Sequence, residues 1–272
     1  MGIWPEGKKC AVALCFDLDA DTLWFDGPRG TTPTPASRGE YGARVCAPRI
    51  MEFLAKHNLP ATWFIPGYTV RKYPEIVQEI DRRGHETGHH GYYHEHPVQM
   101  EREEEKKILA MGLEAYEDVV GKRPLGYRSP AWDLSENSID LLTEYGFQYD
   151  SSMMTDEKPF MLAAEQTGKE LVEIPVEWVL DDAPYFMFNF NPKYRVGLSD
   201  PDKVLRIWID EFDGYYENGS SFVLTMHPQI IGRYHRMKML EQLVEHMLAK
   251  GDVWFTRCID IAEHWKKRGK SA

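Results

Sequence analysis

Short apolar runs alternate with longer amphipathic stretches almost from one end of this 272-residue chain to the other. That rhythm constrains the fold more than any other feature, because it builds repeated strand and helix units on a parallel sheet. The candidate strands are 10–16, 61–65, 86–89, 125–127, 147–149, 171–174, 222–225 and 253–255. The candidate helices are 43–57, 74–84, 101–120, 136–145, 201–217, 236–250 and 259–268. Gly84, Gly121, Gly146 and Gly251 each follow a helical run, where a left-handed residue closes a helix C-terminus. Seven or eight such units predict an α/β protein. One domain over residues 1–272 is expected, since α/β barrels routinely run to about 250 residues.

Two segments break the rhythm. Residues 20–42 are rich in Gly, Pro and Thr, and residues 181–200 carry two prolines and an aromatic cluster at Tyr185, Phe186, Phe188 and Phe190. Both are read as irregular loops, and long loops of this kind shape pockets or subunit contacts.

Charge and composition exclude several classes of function. A net charge of -11 argues against nucleic acid and anionic membrane as partners, because both require a basic face. The one basic tract, Lys266 to Lys270, reads as a solvated helix end. Cys10, Cys15, Cys46 and Cys258 form no CxxC pair and are expected to be reduced, mostly buried thiols. Residues Met1 to Lys9 lack a secretory apolar core, and no run of about 18 apolar residues occurs. A cytoplasmic location is expected.

Four short motifs carry the candidate chemistry. The first strand runs into Phe16-Asp17-Leu18-Asp19-Ala20-Asp21, and strand alternation puts Asp17 and Asp19 on one side. Facing carboxylates call for a cation or a raised pKa. A solvated acidic turn and the DxD metal motif of glycosyltransferases are rival readings. The second motif, His85 to His96, packs five histidines into twelve residues. His90 and His94 are four apart, so a helix beginning after His89 would bring both imidazoles onto one face, as ligands of a single ion require. One carboxylate and two histidines leave coordination positions open, a mark of catalytic sites. Arg128 follows the fourth candidate strand, with Pro130 excluding further ladder pairing, and a surface salt bridge is its plain alternative. His227 follows the apolar run Phe222 to Met226 and could otherwise be a packed core histidine. All these residues fall at the carboxyl ends of four candidate strands, where parallel α/β barrels place their active sites.

In this order, the motifs resemble those of the polysaccharide deacetylase family, also called NodB homology or carbohydrate esterase 4. The similarity runs from Ala11 to about Arg257 and is strongest to an intracellular-type branch. That branch includes a Helicobacter-type peptidoglycan deacetylase, cyclic imide hydrolases and, more distantly, metal-independent allantoinases. The resemblance implies a distorted (β/α)7-8 barrel and a divalent metal, zinc, held by Asp19, His90 and His94. It implies Asp17 as general base, Arg128 as the residue orienting it, and His227 as general acid. The family's fourth motif is met only loosely by Trp178, Asp181 and Asp182, and Trp132 stands where many deacetylases carry another sugar-facing residue. Trp132, Trp178 and Tyr185 are the candidate substrate contacts. The implied substrate is an N-acylated sugar or a small cyclic amide, and the implied assembly a homo-oligomer, a tetramer by analogy. A non-catalytic carbohydrate- or metal-binding protein is the alternative from another class.

Overall fold

The computed structural model describes residues 2–25, 31–189, 194–195 and 198–269. The strands are β1 (Cys10–Asp17), β2 (Thr62–Ile65), β3 (Glu86–His89), β4 (Gly126–Tyr127), β5 (Tyr149–Asp150), β6 (Phe160–Ala163), β7 (Glu170–Glu173), β8 (Phe188–Asn189), β9 (Tyr194–Arg195), β10 (Ser221–Met226) and β11 (Val253–Phe255). The helices are α1 (Pro33–Tyr41), α2 (Ala47–Lys56), α3 (Gly67–Lys72), α4 (Pro74–Arg82), α5 (Arg102–Val120), α6 (Ser138–Tyr145), α7 (Ala183–Phe186), α8 (Pro201–Asn218), α9 (Pro228–Ile231), α10 (Tyr234–Leu248) and α11 (Cys258–Gly269).

The main sheet runs β10-β1-β2-β3-β4-β5-β7-β6, with β11 paired to β1. All its pairings are parallel except that of β6 with β7. Each of the eight sequence-predicted strands is present, and the sheet curls into the distorted barrel that was expected. Its far edge is completed by irregular chain: Asp181 bridges to Thr225, and the Ser221 N–H donates to the Glu157 carbonyl at 3.0 Å.

β1 anchors the curl. It pairs with β10 over Ala11 to Phe16, with β11 at Cys10 to Val12, and with β2 at Cys15 to Asp17. Strands covered on both faces read as continuous apolar runs, and every residue of CAVALCFD is buried. Alternation then sorts the side chains. Val12, Leu14 and Phe16 join the large cluster under the helices, whereas Ala11, Ala13 and Cys15 join the inner one. Asp17 continues the inner series.

Three expectations are corrected. Residues 20–42 are not wholly irregular: a 3-10 turn spans Ala20–Trp24, and Pro33–Tyr41 is helical. Prolines in the first turn of a helix lose no hydrogen bond, so Pro33 and Pro35 hid this helix rather than forbade it. Gly39 lets it dock, since a Cβ there would lie 2.2 Å from the Asp21 nitrogen. The predicted helix 43–57 is a π turn, Gly42–Cys46, followed by α2. Residues 181–200 hold α7 and the β8–β9 pair; Phe190 lies outside the described residues, as does Lys270. Gly84, Gly121, Gly146 and Gly251 all have positive φ, as the cap reading requires. The four cysteines are free and buried. No helix among the described residues is long and apolar enough to cross a membrane.

α11 seals the bottom of the barrel through a buried acid. The N–H groups of Cys258 and Ile259, orphaned at the helix start, donate to Thr62 Oγ1 and Glu86 Oε2, both at 2.9 Å. Thr62 and Tyr149 hydroxyls also donate to Glu86, each at 2.8 Å. Burial nevertheless pushes the Glu86 carboxyl from 4.5 up to about 7. The folded chain therefore holds a proton that the unfolded chain releases. This contribution to stability is complete below the unfolded value and disappears as pH rises through about 7. Wild type should lose about 3 kcal/mol relative to Glu86→Gln across that window, read by denaturant melts at several pH values. Parallel pH profiles for the two proteins would refute the assignment.

Candidate active site and metal centre

The strand register brings the sequence motifs to one rim. Phe16 pairs with Met226, Asp17 with Phe64, Ile65 with His89, and His89 with Tyr127. His90, Arg128 and His227 are each the first residue beyond a strand, and Asp19 is the second beyond β1. Four strand exits thus gather Asp17, Asp19, His90, His94, Arg128 and His227 around one point.

Asp19 is fully buried, and neither carboxylate oxygen has a hydrogen-bond partner. Its carbonyl is well held, accepting from the hydroxyls of Thr22 at 2.7 Å and Thr69 at 2.9 Å. Around the bare carboxylate stand His90 Nε2 at 3.5 Å, His94 Nε2 at 3.9 Å and His227 Nε2 at 3.7 Å. An isolated buried carboxylate is costly, and a cation is the partner that removes the cost. One donor atom from each of Asp19, His90 and His94 lies within 4.8 Å of the others. Two imidazole nitrogens and one carboxylate oxygen suit a catalytic zinc-type ion with an open position. A carbonyl can only accept, so the 2.7 Å contact between His90 Nδ1 and the Arg128 carbonyl fixes the tautomer and leaves the Nε2 lone pair facing Asp19. Burial holds His90 down at about 3 and His94 well below its usual range, so both are neutral, the form that ligates. Burial raises Asp19, with His227 opposing and Asp17 adding to the rise; a dication would reverse this.

The helix expected to align His90 and His94 is absent. β3 ends at His89 and the chain enters an irregular turn, with Gly91 at φ 70° and His94 at φ 65°. Glu95 ties that turn by accepting the N–H groups of Tyr92 at 2.9 Å and Tyr93 at 2.8 Å. Of the described non-glycine residues with positive φ, Ala20, His94, Ala131 and Trp132 border the site and Asn58 alone does not. Strain of this kind persists where surroundings over-determine the backbone, and it concentrates at functional sites. The histidine cluster also divides by role. His89 turns away into the core, where its Nε2 reaches the Leu109 carbonyl at 3.2 Å and its Nδ1 accepts from Gly91 N–H.

Arg128 is fully buried. Its Nη1 donates to Asp17 Oδ1 and Thr225 Oγ1, both at 3.0 Å, and its Nε and Nη2 donate to the carbonyl and hydroxyl of Ser151. Asp17 is therefore fixed in direction by a guanidinium that is itself fixed. His227 has an equivalent support. Asp182 accepts its Nδ1–H at 2.7 Å and its backbone N–H at 3.1 Å, while Asp181 Oδ1 lies 3.7 Å away. Burial alone would lower His227, yet the two aspartates hold it well above its ordinary value. Burial likewise lifts Asp181 to about 7. Sequence reasoning left this aspartate pair without a role, because its contact with His227 is set by the Asp182 N–H bond to the Thr225 carbonyl and by no local pattern.

A cavity of about 1000 Å³ opens over these groups. Trp132 and Trp178 line it with ring centroids 4.3 Å apart, and Trp178 is 42% exposed. Tyr185, expected beside them, does not line the cavity. It packs on Trp208 and donates to the Val179 carbonyl at 3.1 Å. Truncating Arg128 to Met would leave Asp17 buried without its counter-charge, at a cost of about 3–5 kcal/mol in urea unfolding. A stability within 1 kcal/mol of wild type, about the scale of an exposed pair, would show that the pairing is dispensable.

The polysaccharide deacetylase family profile matches residues 6–149. A peptidoglycan deacetylase of Helicobacter pylori is 32% identical, over 96% of this chain and 98% of the relative. A Mycobacterium smegmatis crystal structure assigned to the polysaccharide deacetylases superposes with a TM-score of 0.92 at 38% identity, covering 98% of this chain and 93% of that one. The PuuE allantoinase shares the fold, with a TM-score of 0.84 at 23% identity over 96% of this chain and 92% of its own. The chain belongs to the polysaccharide deacetylase family, hydrolases of carbon-nitrogen bonds other than peptide bonds.

Proposed function

We propose that this protein is a zinc-dependent hydrolase that removes the acetyl group from an N-acetylated sugar. The observation that carries the reading is the buried Asp19 carboxylate, bare of hydrogen bonds and flanked by two neutral imidazoles. Asp19, His90 and His94 would hold the ion, which when bound polarises an amide carbonyl and acidifies water. Asp17, oriented by Arg128, takes a proton from the attacking water. His227, oriented and kept charged by Asp182, gives a proton to the departing nitrogen, which leaves too poorly as an anion. The products are acetate and a free amine. Trp132 and Trp178 pack face against face, and the exposed Trp178 offers an apolar surface to one face of a sugar ring. The name of the Helicobacter pylori relative supports the choice of substrate.

A second reading, opening of a small cyclic amide, is favoured by a second aromatic group in the cavity lining. Phe25, Tyr68 and Tyr93 stand there with centroids 5.2 to 6.0 Å apart, in a cavity of the size that encloses small molecules. A non-catalytic binding role is disfavoured by the supported pairs Arg128–Asp17 and Asp182–His227. The three apolar clusters share one sheet, which supports reading residues 1–272 as a single domain. The homo-tetramer implied by analogy stays part of the proposal, with sedimentation as its test.

The deciding experiment offers zinc-loaded protein N-acetylated chito-oligosaccharides and a cyclic imide in parallel. Acetate release should fall by at least about 10³-fold in Asp19→Ala, and kcat by about 10²-fold or more in Asp182→Asn with KM little changed. Imide opening without acetate release would establish the second reading. Zinc binding with turnover of neither would establish the non-catalytic one.

A further inference from the structure

The first turn of α10 is charged against its own dipole. A helix N-terminus attracts anions through its free N–H groups. This helix instead opens with Arg233 as N-cap, followed by Tyr234, His235 and Arg236, with no acidic residue in the turn. α1 contributes Arg38 to the same place. The Arg233 guanidinium lies 4.0 Å from the Tyr41 ring centroid, and Tyr41 is one turn along α1 from Arg38. The chain carries 43 acidic against 32 basic side chains. Even so, none of these three arginines has a carboxylate within 4.0 Å among the described residues. Burial and the neighbouring Arg233 both depress Arg38.

An independent observation points to a missing acceptor. Arg236 is 7% exposed, and although its Nη1 donates to the Ile230 carbonyl at 2.9 Å, its buried Nε has no partner. The adjoining Gln229 is 5% exposed with neither amide atom satisfied. Buried donors without acceptors are expensive, and the bare Arg236 Nε is crowded further by the positive charges of Arg233 and Arg38. Asp182 attracts Arg236, but its oxygens are engaged by His227.

We propose that Arg38, Arg233 and Arg236 form a binding site for a small oxyanion, a phosphate or a carboxylate, at the N-terminus of α10. Forked guanidinium groups match such anions in geometry and charge. The site also reaches the pocket. Arg38 donates to the Phe188 carbonyl at 2.6 Å and lies 4.8 Å from the Trp24 ring centroid, and Arg236 lies 4.5 Å from that of Phe186. A bound oxyanion would fasten together the two segments that carry Leu23 and Met187 into the cavity wall.

The test is calorimetric titration of the metal-loaded protein with inorganic phosphate and, separately, acetate, at ionic strength held constant with chloride. The site predicts saturable binding that persists in Asp19→Ala and weakens roughly tenfold or more in Arg233→Ala and in Arg38→Ala. Binding abolished by Asp19→Ala would place the anion at the metal centre and overturn the proposal. So would binding unchanged in both arginine variants, or no saturable binding. If Arg233→Ala altered only the oligomeric state, a carboxylate of a second copy would be the occupant and a free-ligand site would be refuted.

Discussion

Two carboxylates close a strand that is buried along its whole length, and most of the polar structure around them answers that charge. Asp17 receives a buried guanidinium, and Asp19 receives two neutral imidazoles and no donor at all. In the proposed reaction the difference separates their uses. A carboxylate already hydrogen-bonded is held in place for proton transfer, whereas one left bare and buried is relieved by a cation or by a proton. The alternation of β1 sends Ala11, Ala13, Cys15 and then Asp17 to the inner face, whereas Asp19 lies beyond the strand in helical backbone at the start of the 3-10 turn.

Each primary group has a support that sets its direction. Ser151 and Thr225 hold Arg128, which holds Asp17; the Arg128 carbonyl holds His90; Asp182 holds His227. The supports lie just past β4 and β5, on β10 and in the segment before α7, so the site depends on the curl of the whole sheet rather than on one loop. Preorganisation of this sort lowers the cost of aligning groups during reaction. The turn at His94 is the strained exception, held by Glu95.

Legibility in the sequence followed periodicity. All eight parallel strands were visible because buried parallel strands are short apolar runs, and helix ends were visible through Gly84, Gly121, Gly146 and Gly251. Antiparallel β6 was missed because its residues alternate between partly buried and exposed, leaving no continuous apolar run. α1 was missed because its prolines resemble loop composition. The convergence of His90 and His94 was anticipated, but through a helix that does not form. Spacing alone cannot distinguish a helical face from a turn shaped by Gly91 and Glu95. Asp182 was unassigned and Tyr185 misplaced because both depend on how the segment before α8 docks on β10.

The bare Asp19 carboxylate is what points to a metal position shared with His90 and His94. Anomalous diffraction at the zinc edge, from crystals of zinc-loaded protein, tests it most directly. A zinc ion held there gives a strong peak bounded by Asp19, His90 Nε2 and His94 Nε2. A peak among Asp181, Asp182 and His227, which also lie within 4.8 Å of one another, or no ordered peak beside Asp19, would contradict it.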